Sequence, residues 1–229
     1  KFTPGIYFVD QDVPQGSVRI AVRTIKQGDP DAIAASVMNN ILGGGGFTSR
    51  ITRRVRSDEG LAYSAGSSFS AGVWRDGVWR GYFDSKNPTV ALATKIILEE
   101  VGKIKNQLVS EEDLQLAKSG VIESFPSMFQ TKDRMLSVFV NDDISGRDVD
   151  YWTNYRDRIN TITVEDVQRV AKRLLNPKEM LVLIVGDWGV ISEGDLEGRA
   201  TMQDISDIVG GDITELPLRN PMTLEVMNE

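Results

Sequence analysis

The chain has 229 residues, 41% of them hydrophobic, with 26 Lys and Arg against 33 Asp and Glu for a net charge of −7. That is enough chain to bury a sizeable core as one large domain or two small ones, and no apolar run approaches the roughly 18 residues of a membrane-spanning helix. With no Cys and no His, there is no disulfide framework, iron–sulfur cluster, thiol nucleophile, thiolate or imidazole metal site, or Ser-His-Asp triad.

The sequence opens on Lys1 rather than Met, with no charged-then-apolar leader pattern; it reads as a piece of a longer product. Residues 17–25 alternate, with Val18, Ile20 and Val22 facing one way and Arg19, Ala21 and Arg23 the other, as in a half-buried strand. Pro30 opens a helix whose Ile33, Val37 and Ile41 form one apolar stripe. That helix runs into the four glycines 43–46, and a short helix over 48–56 follows, with Ile51 and Val55 inward. A strand is predicted over 61–69. Val73-Trp74-Arg75 and Val78-Trp79-Arg80 flank Asp76-Gly77, which predicts a two-residue hairpin with Trp74 facing Trp79.

Pro88 begins a long helix with Val90, Ala93, Ile97, Val101, Ile104 and Leu108 inward. Ser110 caps the next helix, which carries three acids in its first turn and Leu114, Ala117, Val121 and Phe125 on its inner face. Further helices are predicted over 135–140, 151–159 and 163–175, the last with Thr163 capping Asp166. Residues 180–185 read as a buried strand before Gly186-Asp187. Early strands, central helices and a late strand predict an α+β fold, a mostly antiparallel sheet covered by a layer of helices. From Asp187 onward, ten acidic residues face only Arg199 and Arg219, while the first 186 residues are near neutral. The expected domains are therefore a body over 1–187 and an acidic extension over 188–229, solvated and extended apart from one helical turn near 202–209. A near-neutral body with an acidic end lacks the basic face a nucleic-acid partner requires.

Three features invite a chemical reading. The glycine run 43–46 lacks the Lys-Ser/Thr of a phosphate loop and the strand-turn-helix order of a dinucleotide site. It reads structurally as a helix end passing through left-handed conformations, and functionally as bare backbone that a ligand chain can approach. Arg50, Arg53, Arg54 and Arg56 lie close together. The first three share a face that reads as a solvated stripe, whereas Arg56 stands about 240° round from Arg50 at the helix end. Tyr63 follows seven residues later, at the start of a strand, so the two side chains can share a cleft edge where a phenol donates to a developing oxyanion. A half-buried Tyr beside a surface Arg is the plainer account of the same spacing. The acidic pairs Glu99-Glu100, Glu111-Glu112-Asp113 and Asp142-Asp143 are adjacent rather than convergent and read as solvated helix ends.

The block Leu42-Gly-Gly-Gly-Gly-Phe-Thr-Ser-Arg-Ile-Thr-Arg-Arg-Val-Arg-Ser-Asp-Glu-Gly-Leu-Ala-Tyr63 resembles the second, non-catalytic half of the pitrilysin-type zinc metallopeptidases, whose other half carries H-x-x-E-H. The resemblance continues through Leu114-Gln-Leu-Ala-Lys118 and Thr161-Ile-Thr-Val-Glu-Asp-Val167 to the strand before Gly186. It implies two α+β halves closing on a chamber. The first half would bind zinc through two His and a Glu, and the second would supply an Arg and a Tyr to substrate binding and transition-state stabilisation.

Carried over, those roles fall on Arg56 and Tyr63, with Gly44, Gly45 and Phe47 as further substrate-binding candidates. With no His, this chain holds no zinc and is not active alone. The resemblance implies zinc in a catalytic half, either upstream in the same polypeptide or on a separate subunit. The expected partners are that half and a peptide substrate, without nucleic acid or membrane insertion. Family habit implies a periplasmic or otherwise exported location, with the cytoplasm left open. Two other readings are a catalytically silent scaffold subunit of the same superfamily and a free-standing enzyme using carboxylates or another metal.

Overall fold

The computed structural model describes residues 3–220 and 222–227. In chain order its main elements are β1 (Gly5–Asp10), β2 (Gln15–Arg23), α1 (Ala32–Asn39), α2 (Arg50–Thr52, continued by a π-helical turn Arg53–Asp58), β3 (Ala62–Ser70) and β4 (Val78–Lys86). Then come α3 (Val90–Asn106), α4 (Glu111–Ser124), α5 (Lys132–Ser145), α6 (Tyr155–Asn160), α7 (Val164–Leu174), β5 (Leu181–Gly186), α8 (Trp188–Ser192), α9 (Met202–Val209) and β6 (Ile213–Glu215).

The strands form one six-stranded sheet in the order β3-β4-β2-β5-β1-β6. The first three pairings are antiparallel, and β1 is parallel to both β5 and β6. This is the expected α+β architecture. The strand alternation makes it two-faced. Val18, Ile20, Val22, Trp79, Phe83, Val182, Ile184, Ile6 and Phe8 are buried on one face, beneath α1, α3 and α7. The other face carries Arg19, Ala21, Arg80, Tyr82 and Leu183 and has no helix over it among the described residues. The run 180–185, expected to be buried throughout, is thus buried only at alternate positions.

Helix α3 buries Val90, Ala93, Ile97, Val101 and Ile104 as its periodicity requires, but it ends at Asn106 and leaves Leu108 exposed in the following turn. Ser110 accepts the Asp113 N–H at the start of α4, and Thr163 forms a reciprocal capping box with Asp166 on α7. Arg169 and Arg173 of α7 reach Asp31 and Asp29 ahead of α1, joining elements far apart in sequence.

Two larger expectations are also revised. The Asp-Gly hairpin does not form: β3 ends at Ser70, β4 begins at Val78, and Trp79 lies opposite Phe69 and Val22 rather than Trp74. The backbone N–H groups of Gly72 and Gly77 both donate to the Ile25 carbonyl, which draws residues 71–77 out as a longer loop. Trp79 is fully buried with its indole N–H satisfied, and Trp74 is left 77% exposed. Nor is the segment after Asp187 an extended solvated tail. Ile191, Ala200, Met202, Ile205 and Val209 enter the core, and β6 adds to the sheet edge. Arg199 holds buried Asp195 and bridges to Glu59, while Lys95 of α3 binds Asp204. Beyond Glu215 the described residues lie at the surface.

Candidate functional site

The site forms where the end of α1, the start of α2 and the start of β3 converge. After α1 the chain makes a π-helical turn over Asn40–Gly44. Gly43 lies directly on β3: a Cβ there would sit 2.4 Å from the Ser67 Oγ and 2.5 Å from its backbone N. Close approach, not handedness, dictates glycine at this position. Of the four glycines only Gly46 has a left-handed backbone, with φ of 63°, so the expected left-handed passage is confined to one residue.

Buried Asn39 locks this turn to the sheet. Its Oδ1 accepts hydrogen bonds from the Ser67 hydroxyl at 2.7 Å and the Trp79 indole N–H at 3.0 Å. Thr52 of α2 donates to the Ala65 carbonyl of β3 at 2.8 Å. Both helix ends are therefore held against the same strand.

These anchors set up the Arg56 environment. Its guanidinium carbon lies 4.4 Å from the Phe47 ring centre and 4.7 Å from that of Tyr63, two cation–π contacts on one group. Tyr63 occupies the register shift between Ala62 and Ser64, a bulge that re-aims its side chain; it is 85% exposed, and Phe47 67%. Among the described residues Arg56 has no ion pair and the Tyr63 hydroxyl no hydrogen bond, so both polar groups are open to a ligand. Beside them lies a cleft of about 280 Å³, bordered by Gly43, Gly44, Gly46, Thr52, Ser64 and Tyr82. Of the five residues singled out in the sequence, Arg56, Tyr63, Phe47 and Gly44 meet here. Gly45 is not on the cleft wall.

Of the expected solvated stripe, Arg53 is exposed, whereas Arg50 and Arg54 are tied down. Arg50 pairs with Asp113, and Arg54 with Glu99 and buried Glu100. Asp142 is engaged by Arg147 and the Trp152 indole. Tyr82, Asn39, Thr52 and Ser67 escaped the sequence reading. Tyr82 is legible from the alternation on β4 once the register is known, whereas Asn39 carries no local signal.

The side chains present do not fit zinc. The chain has no His or Cys, and among the described residues no group of three or more candidate ligands converges.

Residues 1–121 match the family model described as the peptidase M16 inactive domain. The chain belongs to that family. This inactive domain is 26% identical over 179 residues to an uncharacterized zinc protease of Mycobacterium bovis, an alignment covering 76% of the chain and 39% of the relative. It thus spans about two fifths of that relative's length. Its fold is also that of the peptidase M16 inactive domain from Pseudomonas fluorescens, with a TM-score of 0.73 and 23% identity over 79% of this chain and 43% of that one. A chain of complex III2 from Candida albicans superposes with a TM-score of 0.72 at 16% identity, covering 82% of this inactive domain and 47% of the other chain.

Proposed function

We propose that this inactive domain is the substrate-binding, non-zinc half of a zinc metalloendopeptidase that cleaves peptides between two closed halves. Arg56 binds peptide carbonyls with its guanidinium, and Tyr63 donates its hydroxyl to the oxyanion as the peptide bond is attacked. The half-buried guanidinium held between the Phe47 and Tyr63 rings, with no ion pair among the described residues, carries this reading. Aromatic contacts orient the fork without consuming its N–H donors, which a peptide backbone then uses. A scaffold subunit has no use for an oriented, unpaired Arg beside an open phenol. The zinc and the water-activating Glu belong to an H-x-x-E-H half on the same polypeptide or a partner subunit. Because the oxyanion donor sits on the opposite half, turnover depends on closure, which excludes bulk water and folded substrates.

The test is steady-state kinetics on the assembled two-half protein with a fluorogenic peptide. Tyr63→Phe is expected to lower kcat by about 10²-fold with little change in KM, as for loss of one oxyanion donor. Arg56→Ala is expected to raise KM as well. Unchanged kcat/KM in both variants refutes the assignment.

A further inference from the structure

The helix-free face of the sheet carries a second feature, at the far end of β4 from the cleft. A groove of about 420 Å³ opens there among Arg23, Lys26, Trp74, Arg75, Asp76 and Val78. Trp74 stands 77% exposed on its rim. Lys26 and Arg75 are exposed, and neither forms an ion pair among the described residues; the same holds for Arg80, on the same sheet face beside Ala21. Among the described residues Asp76 is the only carboxylate on the groove wall. A chain with a net charge of −7 thus places Lys26 and Arg75 beside an exposed indole at one spot, on a surface otherwise built of strand side chains.

The groove is aligned with the cleft. Tyr82 borders the Arg56–Tyr63 cleft, and Val78 borders the groove. Val78 points to the open face of β4, and Tyr63 lies beside Asp84 and Ser85 of the same strand, six to seven residues away, which at the strand rise is about 20 Å. An extended peptide covers that distance in about six residues. We infer that the groove is a subsite for an acidic side chain of the peptide substrate, about six residues from the bond that lies at Arg56 and Tyr63. Its role as a substrate subsite rests on the function proposed above. Arg75 offers a carboxylate a forked pair of donors, Lys26 adds a mobile cation, and Trp74 covers the side chain's apolar stem. A polyanion such as nucleic acid needs a longer track of cations to release its counterions, so a single carboxylate is the better match.

The test uses the assembled protein and paired peptides with Glu or Gln six or seven residues to either side of the cleaved bond. One Glu peptide is expected to show a kcat/KM about three- to tenfold above its Gln partner, the scale of one or two partly exposed ion pairs. Lys26→Ala/Arg75→Ala should bring that Glu peptide down to the Gln value and leave the Gln peptide unaffected. Equal turnover of every pair, or an equal loss on both peptides in the double variant, overturns the inference. Fluorescence anisotropy of the labelled Glu peptide supplies an independent readout. Selective binding that is lost in the double variant and kept in Tyr63→Phe supports the groove even if cleavage fails and the catalytic reading falls. Equal binding of Glu and Gln peptides, or displacement by a single-stranded oligonucleotide at the same concentration as the peptide, overturns it.

Discussion

Replacing Asn39 by Ala tests the link between core packing and the site. In the native fold the Asn39 Oδ1 is the acceptor for both the Ser67 hydroxyl and the Trp79 indole N–H. All three residues are buried. The substitution removes one acceptor and leaves two buried donors unmatched. At about 1–3 kcal/mol per unsatisfied buried group, with water entry recovering part, the expected loss is about 3 kcal/mol. For a chain of this size each kcal/mol corresponds to roughly 2–4 °C in Tm, so Tm should fall by about 6–12 °C. Urea denaturation followed by Trp fluorescence gives the free energy, and calorimetry gives Tm. A double-mutant cycle with Ser67→Ala should show coupling of about 1 kcal/mol, because Ser67→Ala removes one of the stranded donors. Because Asn39 also holds the glycine turn against β3, the peptide binding proposed for Arg56 should weaken in parallel. A loss below about 0.5 kcal/mol, or strict additivity with Ser67→Ala, would refute the argument that this amide ties the turn to the sheet.

Three other outcomes follow from the same structure. Gly43→Ala places a methyl against both the backbone and side chain of Ser67 and should cost about 1–3 kcal/mol as an overpacked contact, read by urea denaturation; a neutral result would show that the turn is not pressed onto β3. The Arg173 guanidinium, through its hydrogen bond, holds the Asp29 carboxyl below its ordinary range against the opposing effect of burial. That contribution to stability is present above about pH 4, the unfolded value, and is lost as pH falls through the lower folded value; in Arg173→Gln it should be missing at neutral pH, so that the Tm curves of the two proteins converge in acid. Burial pushes the Tyr155 phenol up to about 12, so its contribution is complete below pH 10 and is lost as pH rises through 12. Ultraviolet titration of the folded protein should lose its last tyrosinate step in Tyr155→Phe.

Local patterns were read well where one interaction range decides the outcome. The alternation of Val18, Ile20 and Val22, the apolar stripe of α3 from Val90 to Ile104, and the caps at Ser110 and Thr163 each follow from strand or helix period and from unpaired backbone groups. The spacing of Arg56 and Tyr63 across the Gly60 turn is a weak pattern by itself, and it was the resemblance of the surrounding block that singled out the pair; the fold brings both to one cleft edge. Tertiary contacts decided the rest. Asp76-Gly77 has hairpin chemistry, yet the demand for a buried, hydrogen-bonded Trp79 and two donors to the Ile25 carbonyl outweighed it. The charge of residues 187–229 suggested solvent, but Met202, Ile205 and Val209 supply a helix stripe, and pairing of β6 with β1 satisfies backbone at the sheet edge. Charge counts cannot register either effect. Arg50 and Arg54 looked like surface because their partners, Asp113 and Glu100, lie 63 and 46 residues away. The same applies to Asn39: a buried amide declares its purpose only when the two donors that need it arrive from β3 and β4, and that meeting is a property of the folded sheet, not of any segment.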